Sequence, residues 1–135
     1  MTTVIPQLDG VLEVALYVDD IDRSVHFYQR VFGFEVIASD ERLSALGVAG
    51  KQVLLVCQRR ASATLTAGSH DADGSQHVAF AVPAADLEAW ETRLTQQKVT
   101  IAYVRQWPRG GRSLYVRDPD RHLIELASPG VWSIY

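Results

Sequence analysis

The chain repeats itself, and the repeat constrains its fold more than any other feature. Glu13-Val14-Ala15-Leu16-Tyr17-Val18 is echoed by His77-Val78-Ala79-Phe80-Ala81-Val82, and each copy leads through a short acidic turn into an amphipathic helical stretch. In the first copy Ile21, Val25, Tyr28 and Phe32 recur at helical spacing, Asp20 is placed as an N-cap, and Gly33 stands where a left-handed C-terminal residue belongs. In the second, residues 84–97 carry Leu87, Trp90 and Leu94 on one stripe, after Pro83. Three short runs follow each helix: 34–39, 43–48 and 53–58, then 100–106, 113–117 and 122–127. Pro108-Arg109-Gly110-Gly111 and Asp118-Pro119-Asp120 are strong turn signals between them. Each half is therefore βαβββ, and the class is α+β. The modules occupy about 9–58 and 76–128 of a single domain over 1–135. The Ala, Ser, Thr, Gly and Asp-rich stretch 59–75 is a connector.

Alternation sorts the strand faces. Val14, Leu16 and Val18 share one face of the first strand, as Val78, Phe80 and Val82 do in the fifth, and these branched and aromatic faces suit packing against the helices. The opposite faces combine small residues with one ionisable group each, Glu13 and His77, as the concave side of a sheet would if it received a small molecule. On the last strand Glu125 lies between Leu123 and Ala127, a carboxylate among apolar neighbours that requires a partner. Aligning Leu54 with Leu123 makes Val56 the counterpart of Glu125. Four symmetric positions, 13, 56, 77 and 125, then carry Glu, Val, His and Glu: three can bind a metal and one cannot.

Composition narrows the function classes. The 13 Lys and Arg against 16 Asp and Glu give a net charge of −3, with no basic cluster, which argues against nucleic acid and anionic membranes as partners. Cys57 is the one cysteine, so no internal disulfide forms. The N-terminal stretch lacks the pattern of a secretory signal, and no apolar run reaches the roughly 18 to 20 residues that cross a bilayer, so a cytoplasmic location is expected.

Three segments together resemble the vicinal oxygen chelate superfamily of glyoxalases, bleomycin-resistance proteins and extradiol dioxygenases. They are residues 12–20 with the following 24–33, Gln76-His77-Val78-Ala79-Phe80, and Gly111-Arg112-Ser113-Leu114-Tyr115 running through Asp118-Pro119-Asp120 to Glu125-Leu126. The resemblance implies two modules forming a curved, partly open mixed β-sheet with helices on the outer face. It also implies a divalent cation (Mn, Mg, Fe, Ni or Zn) held by Glu13, His77 and Glu125. A homodimer is implied too, with the site in many members completed across subunits. Two departures stand out. Glu13 occupies a position where members commonly carry His, so the donor set favours oxygen-loving cations such as Mn²⁺ or Mg²⁺ over a two-His iron site. Arg121 replaces the usual Gly after Asp-Pro-Asp.

The candidate catalytic residues are Glu125 and Glu13, alternating as ligand and base, and Tyr115, as a hydrogen-bond donor to a substrate oxygen. Tyr17, Trp107, Arg109 and Arg112 are the candidate substrate-binding residues, the last three in a loop able to cap a pocket. The competing account of His77 and Glu125 is a hydrogen-bonded pair in a metal-free pocket, and of Glu13 a solvated carboxylate. His26 is expected on the surface, His122 in a structural hydrogen bond, and Cys57 without chemistry. The leading expectation is a metal-dependent enzyme acting on a small oxygen-bearing substrate. A bleomycin-resistance-type sequestering protein without chemistry is the alternative, and a fosfomycin-type thiol transferase ranks third because Glu13 replaces the expected His.

Overall fold

The computed structural model describes residues 3–135, so the first two positions of the expected domain lie outside the described residues. Two βαβββ modules follow one another. The first comprises β1 (Glu13–Val18), α1 (Ile21–Phe32), β2 (Glu35–Ser39), β3 (Leu43–Val48) and β4 (Gln52–Gln58). The second comprises β5 (His77–Ala81), a 3₁₀ turn at Ala84–Asp86 leading into α2 (Leu87–Gln96), β6 (Tyr103–Gln106), β7 (Arg112–Arg117) and β8 (Leu123–Ala127). Hydrogen bonding divides the strands into two four-stranded sheets, ordered β1-β4-β3-β2 and β5-β8-β7-β6. In both, the first and last strands of the module run parallel and the other pairs antiparallel. The sixth strand is shorter than its apolar pattern predicts, opening at Tyr103 rather than Thr100.

Local chemistry accounts for the first helix. The Asp20 carboxylate accepts the Arg23 N–H at 3.1 Å, and Gly33, at φ 72°, turns its N–H back to Gln29 O. The apolar strand faces and helix stripes meet in one core that spans both modules, with Leu16, Val18, Leu54, Val56, Leu94, Leu114, Ile124 and Leu126 sealed from solvent. Each such side chain contributes about 1.5 to 3 kcal/mol through burial. The two helices touch directly, since Phe32 packs on Trp90 and Arg93 donates to the carbonyls of Arg30 and Val31 at the end of α1.

Polar bonds lock the modules at the opposite end. His122 is fully buried: its Nδ1 accepts the Gln76 N–H at 2.9 Å and its Nε2 donates to Tyr17 O at 2.7 Å, the structural role its turn position implies. The neighbouring Arg121 takes a left-handed backbone conformation, φ 67°, in the place where Gly is usual. Tyr28 donates to Asp118 at 2.7 Å. Burial first, and the Asp118 charge second, push the Tyr28 phenol well above its ordinary range. A raised phenol means that the unfolded chain loses this proton first. The stability it contributes below about pH 10 therefore disappears as pH rises further. Melting temperatures between about pH 9 and pH 11 should fall more steeply for wild type than for Tyr28→Phe.

The connector has no regular strand or helix but is folded onto the body. Arg60 pairs with Asp71 at 2.8 Å and Asp73 at 2.7 Å, Arg42 donates to Ser62, and His70 meets the Tyr17 hydroxyl at 2.5 Å. His26 is exposed, and Cys57 is buried, with burial raising its thiol above the usual range.

Candidate active site

A cavity of about 480 Å³ opens on the face of the second sheet that the helices leave uncovered. Alternation puts His77 and Ala79 of β5, Tyr115 of β7, and Leu123, Glu125 and Ala127 of β8 on this face, and pairing sets Tyr115 directly opposite Glu125. Tyr103 and Arg105 of β6 continue the floor, and Trp107, Val131, Trp132 and Tyr135 close one end. Gly111 and Gly130 permit this closure, because a Cβ on Gly111 would lie 2.6 Å from the Gly130 carbonyl carbon.

Two of the three expected ligands meet here. His77 Nε2 lies 3.2 Å from Glu125 Oε1, and His77 Nδ1 lies 2.8 Å from Leu123 O. A carbonyl oxygen only accepts, so Nδ1 carries the hydrogen and Nε2 is the ring atom turned toward the carboxylate. Ser113 donates to the other carboxylate oxygen, Glu125 Oε2, at 2.6 Å, and accepts the Trp107 indole N–H at 2.8 Å. The Tyr115 phenol is raised above its ordinary value, by burial first and by the Glu125 charge second, and so remains an O–H donor at neutral pH.

Glu13 does not join them. It stands exposed at the start of β1 and lines a different cavity of about 450 Å³, between the modules, with Val11, Leu12, Val53 and Phe80 among its walls. Among the described residues no three His, Cys, Asp or Glu side chains converge on one point. The symmetric position on β4 also differs from the expected Val56. Ala15 pairs with Leu55 in the first module where Ala79 pairs with Glu125 in the second, so Leu55, and not Val56, is the counterpart of Glu125. Val56 is fully buried on the helix side. An alignment displaced by one residue reverses the face of a strand. The counterpart is apolar in either register, so three of the four positions remain able to ligate.

The substrate-binding candidates divide. Trp107 lines the cavity, whereas Arg112 belongs to the opposite face of β7 and pairs with Glu91 of α2. Arg109 is exposed in the β6–β7 turn, outside the cavity walls. Tyr17 lies on the first sheet, bonded to His70. The arginine that does line the cavity is Arg105, with its guanidinium carbon 3.7 Å from the centre of the Trp107 ring. The period-two pattern Tyr103, Arg105, Trp107 contains this information once β6 is paired with β7. Trp132 and Tyr135, beyond the last strand, carried no periodic signal.

Comparison with known proteins agrees with this architecture. The metallothiol transferase FosB of Shouchella clausii is 28% identical over 121 residues, covering 88% of this chain and 80% of that protein. The catechol-2,3-dioxygenase of Bacillus subtilis is 30% identical over 112 residues, 82% of this chain, which spans only 38% of the dioxygenase. Among solved structures, the lactoylglutathione lyase of Agrobacterium tumefaciens superposes with a TM-score of 0.87 at 28% identity, over 95% of this chain and 99% of that one. The matched relatives thus bear the names of a transferase, a dioxygenase and a lyase on one fold, so the fold does not choose the reaction. The family model matches residues 10–126, and with its paired βαβββ modules the chain belongs to the Glyoxalase/Bleomycin resistance protein/Dioxygenase superfamily.

Proposed function

We propose that the chain is a metal-dependent enzyme acting on a small oxygen-bearing substrate in the His77–Glu125 cavity, and that it works as a homodimer. One observation carries this reading: an imidazole nitrogen and a carboxylate oxygen stand 3.2 Å apart on the cavity wall, with the other ring nitrogen committed to Leu123. Two acceptors at that distance require a proton or a cation between them. Adjacent ligand atoms around a divalent cation held at about 2.1 Å are about 3.0 to 3.4 Å apart, so the spacing of the pair is that of a metal edge. The Leu123 and Ser113 bonds are the outer contacts that orient a ligating imidazole and carboxylate.

His77 and Glu125 would hold the cation, and Glu13 of a second copy would supply the third donor. Glu13 has exposed apolar neighbours in Val11 and Leu12, and Val4, Ile5 and Leu8 extend that apolar stretch, which favours an interface there. One imidazole and two carboxylates place Mn²⁺ and Mg²⁺ ahead of Fe²⁺, Ni²⁺ and Zn²⁺. When bound, such a cation supplies a Lewis acid for substrate oxygens. Ser113 holds Glu125 in its ligating orientation, and Tyr115 offers its hydroxyl proton to a substrate oxygen. Tyr103, Trp107 and Trp132 supply aromatic wall surface for the substrate. A second reading, addition of a thiol to the bound substrate, is favoured by the metallothiol transferase relatives even though Glu13 replaces the expected His.

Thermal melts in EDTA and in Mn²⁺ test the proposal. A cation at about 100 times its dissociation constant stabilises by about 2.7 kcal/mol. An upward shift that EDTA reverses is the expected result. Melts indifferent to every divalent cation would sink the metal reading and leave a sequestering protein.

A further inference from the structure

Arg105 carries a positive charge into the His77–Glu125 cavity, and no carboxylate of the chain pairs with it among the described residues. Its position is set by a chain of contacts. The guanidinium stacks 3.7 Å from the centre of the Trp107 ring, the Trp107 indole N–H donates to Ser113 Oγ, and that hydroxyl donates to Glu125. The charge is therefore anchored, through one stacked ring and two hydrogen bonds, to the carboxylate that faces His77.

Pairing fixes the separation. Arg105 sits opposite Ser113, and Tyr115 sits opposite Glu125, so Arg105 and Glu125 lie two strands and two residues apart. That is about 11 to 12 Å between Cα atoms, and both side chains line the cavity. The surface across this gap is aromatic: Tyr103 stacks on Tyr115 at 4.2 Å and 13°, and Trp107 and Trp132 stand 6.2 Å apart at its end. A planar guanidinium held on an indole is suited to a planar carboxylate, and ring walls are suited to a ring.

We infer that the substrate is an aromatic acid whose carboxylate pairs with Arg105, whose ring lies along the Tyr103–Tyr115 wall, and whose other oxygens face His77 and Glu125. Only the last contact rests on the proposed metal site, and the Arg105 contact stands without it. Arg105 is thus the residue that selects a charged ring over a neutral one.

Calorimetry and tryptophan fluorescence with 3,4-dihydroxybenzoate and with neutral catechol, with Mn²⁺ and with EDTA, test this in wild type, Arg105→Gln and Arg105→Lys. The acid should bind wild type at least about 10-fold more tightly than catechol, as a charge-assisted pair provides. Arg105→Gln should erase that preference while leaving catechol affinity unchanged, and Arg105→Lys should restore part of it. Equal affinities in wild type, an undiminished preference in Arg105→Gln, or no binding of either compound would overturn the inference. Displacement by methylphosphonate as effective as displacement by benzoate would also overturn it, assigning Arg105 to small tetrahedral anions. A preference that is the same in EDTA and in Mn²⁺ supports Arg105 and counts against the metal site alone.

Discussion

Glu125→Gln is expected to fold and to lose divalent-cation affinity by at least about 100-fold, since loss of an outer-shell partner alone costs about 10- to 100-fold. The carboxamide keeps the shape of the carboxylate and can still accept the Ser113 hydrogen bond. Its NH₂ group then donates to His77 Nε2, so the pair needs neither a proton nor a cation between its members. The metal-free variant should consequently melt no lower than metal-free wild type, although the metal-dependent rise in its melting temperature is gone. Mn²⁺ titration calorimetry with melts in EDTA reads both effects, and wild-type affinity in the variant would remove Glu125 from the ligand set. Subunit mixing extends the test to Glu13. If the third donor comes from a second copy, Glu13→Ala and Glu125→Ala chains are each defective alone, but their mixed dimer regains one intact site. Recovery of no metal binding on mixing would exclude a shared site.

Asp120→Ala is expected to destabilise the chain by about 3 kcal/mol, the scale of removing one partner from a buried charge network. Its side chain is 1% exposed and accepts from Asp19 N at 2.9 Å and from Ser24 Oγ at 3.2 Å, with Arg23 at 3.3 Å and Arg59 at 3.7 Å. These contacts tie the β7–β8 turn to the start of the first helix and the end of β4, so the loss falls on the contact between modules. For a domain of this size the melting temperature should drop by about 10 °C. Asp120→Asn keeps an acceptor without the charge and should lose less. A melt of Asp120→Ala within about 2 °C of wild type would show that Arg23 and Arg59 tolerate the loss by turning to solvent.

The βαβββ repeat was legible because burial imposes a period: two on the strands and 3.6 on the helices. Asp20 and Gly33 were legible because helix ends have local requirements that few residue types meet. The same local logic failed at Arg112. Its place in the Trp107–Arg112 loop pointed to the pocket, but it is the first residue of β7, on the face opposite Ser113 and Tyr115. Arg105 is not legible in the sequence because nothing local marks it. Its role arises when Trp107 is pinned by Ser113 and becomes a platform. Trp132 and Tyr135 reach the cavity after the last strand, where no periodicity constrains the chain.

The sequence by itself determined the element order, the faces to be buried, and three residues able to ligate at symmetric positions. Those properties depend on neighbours within a turn of helix or a pair of strand positions. Tertiary structure decided which of the three meet. His77 and Glu125 converge because β5 and β8 pair in parallel within one sheet, while Glu13 begins a different sheet and faces a different cavity. Pairing register also decided between Val56 and Leu55, since a shift of one residue exchanges the two faces of a strand and leaves no trace in its composition.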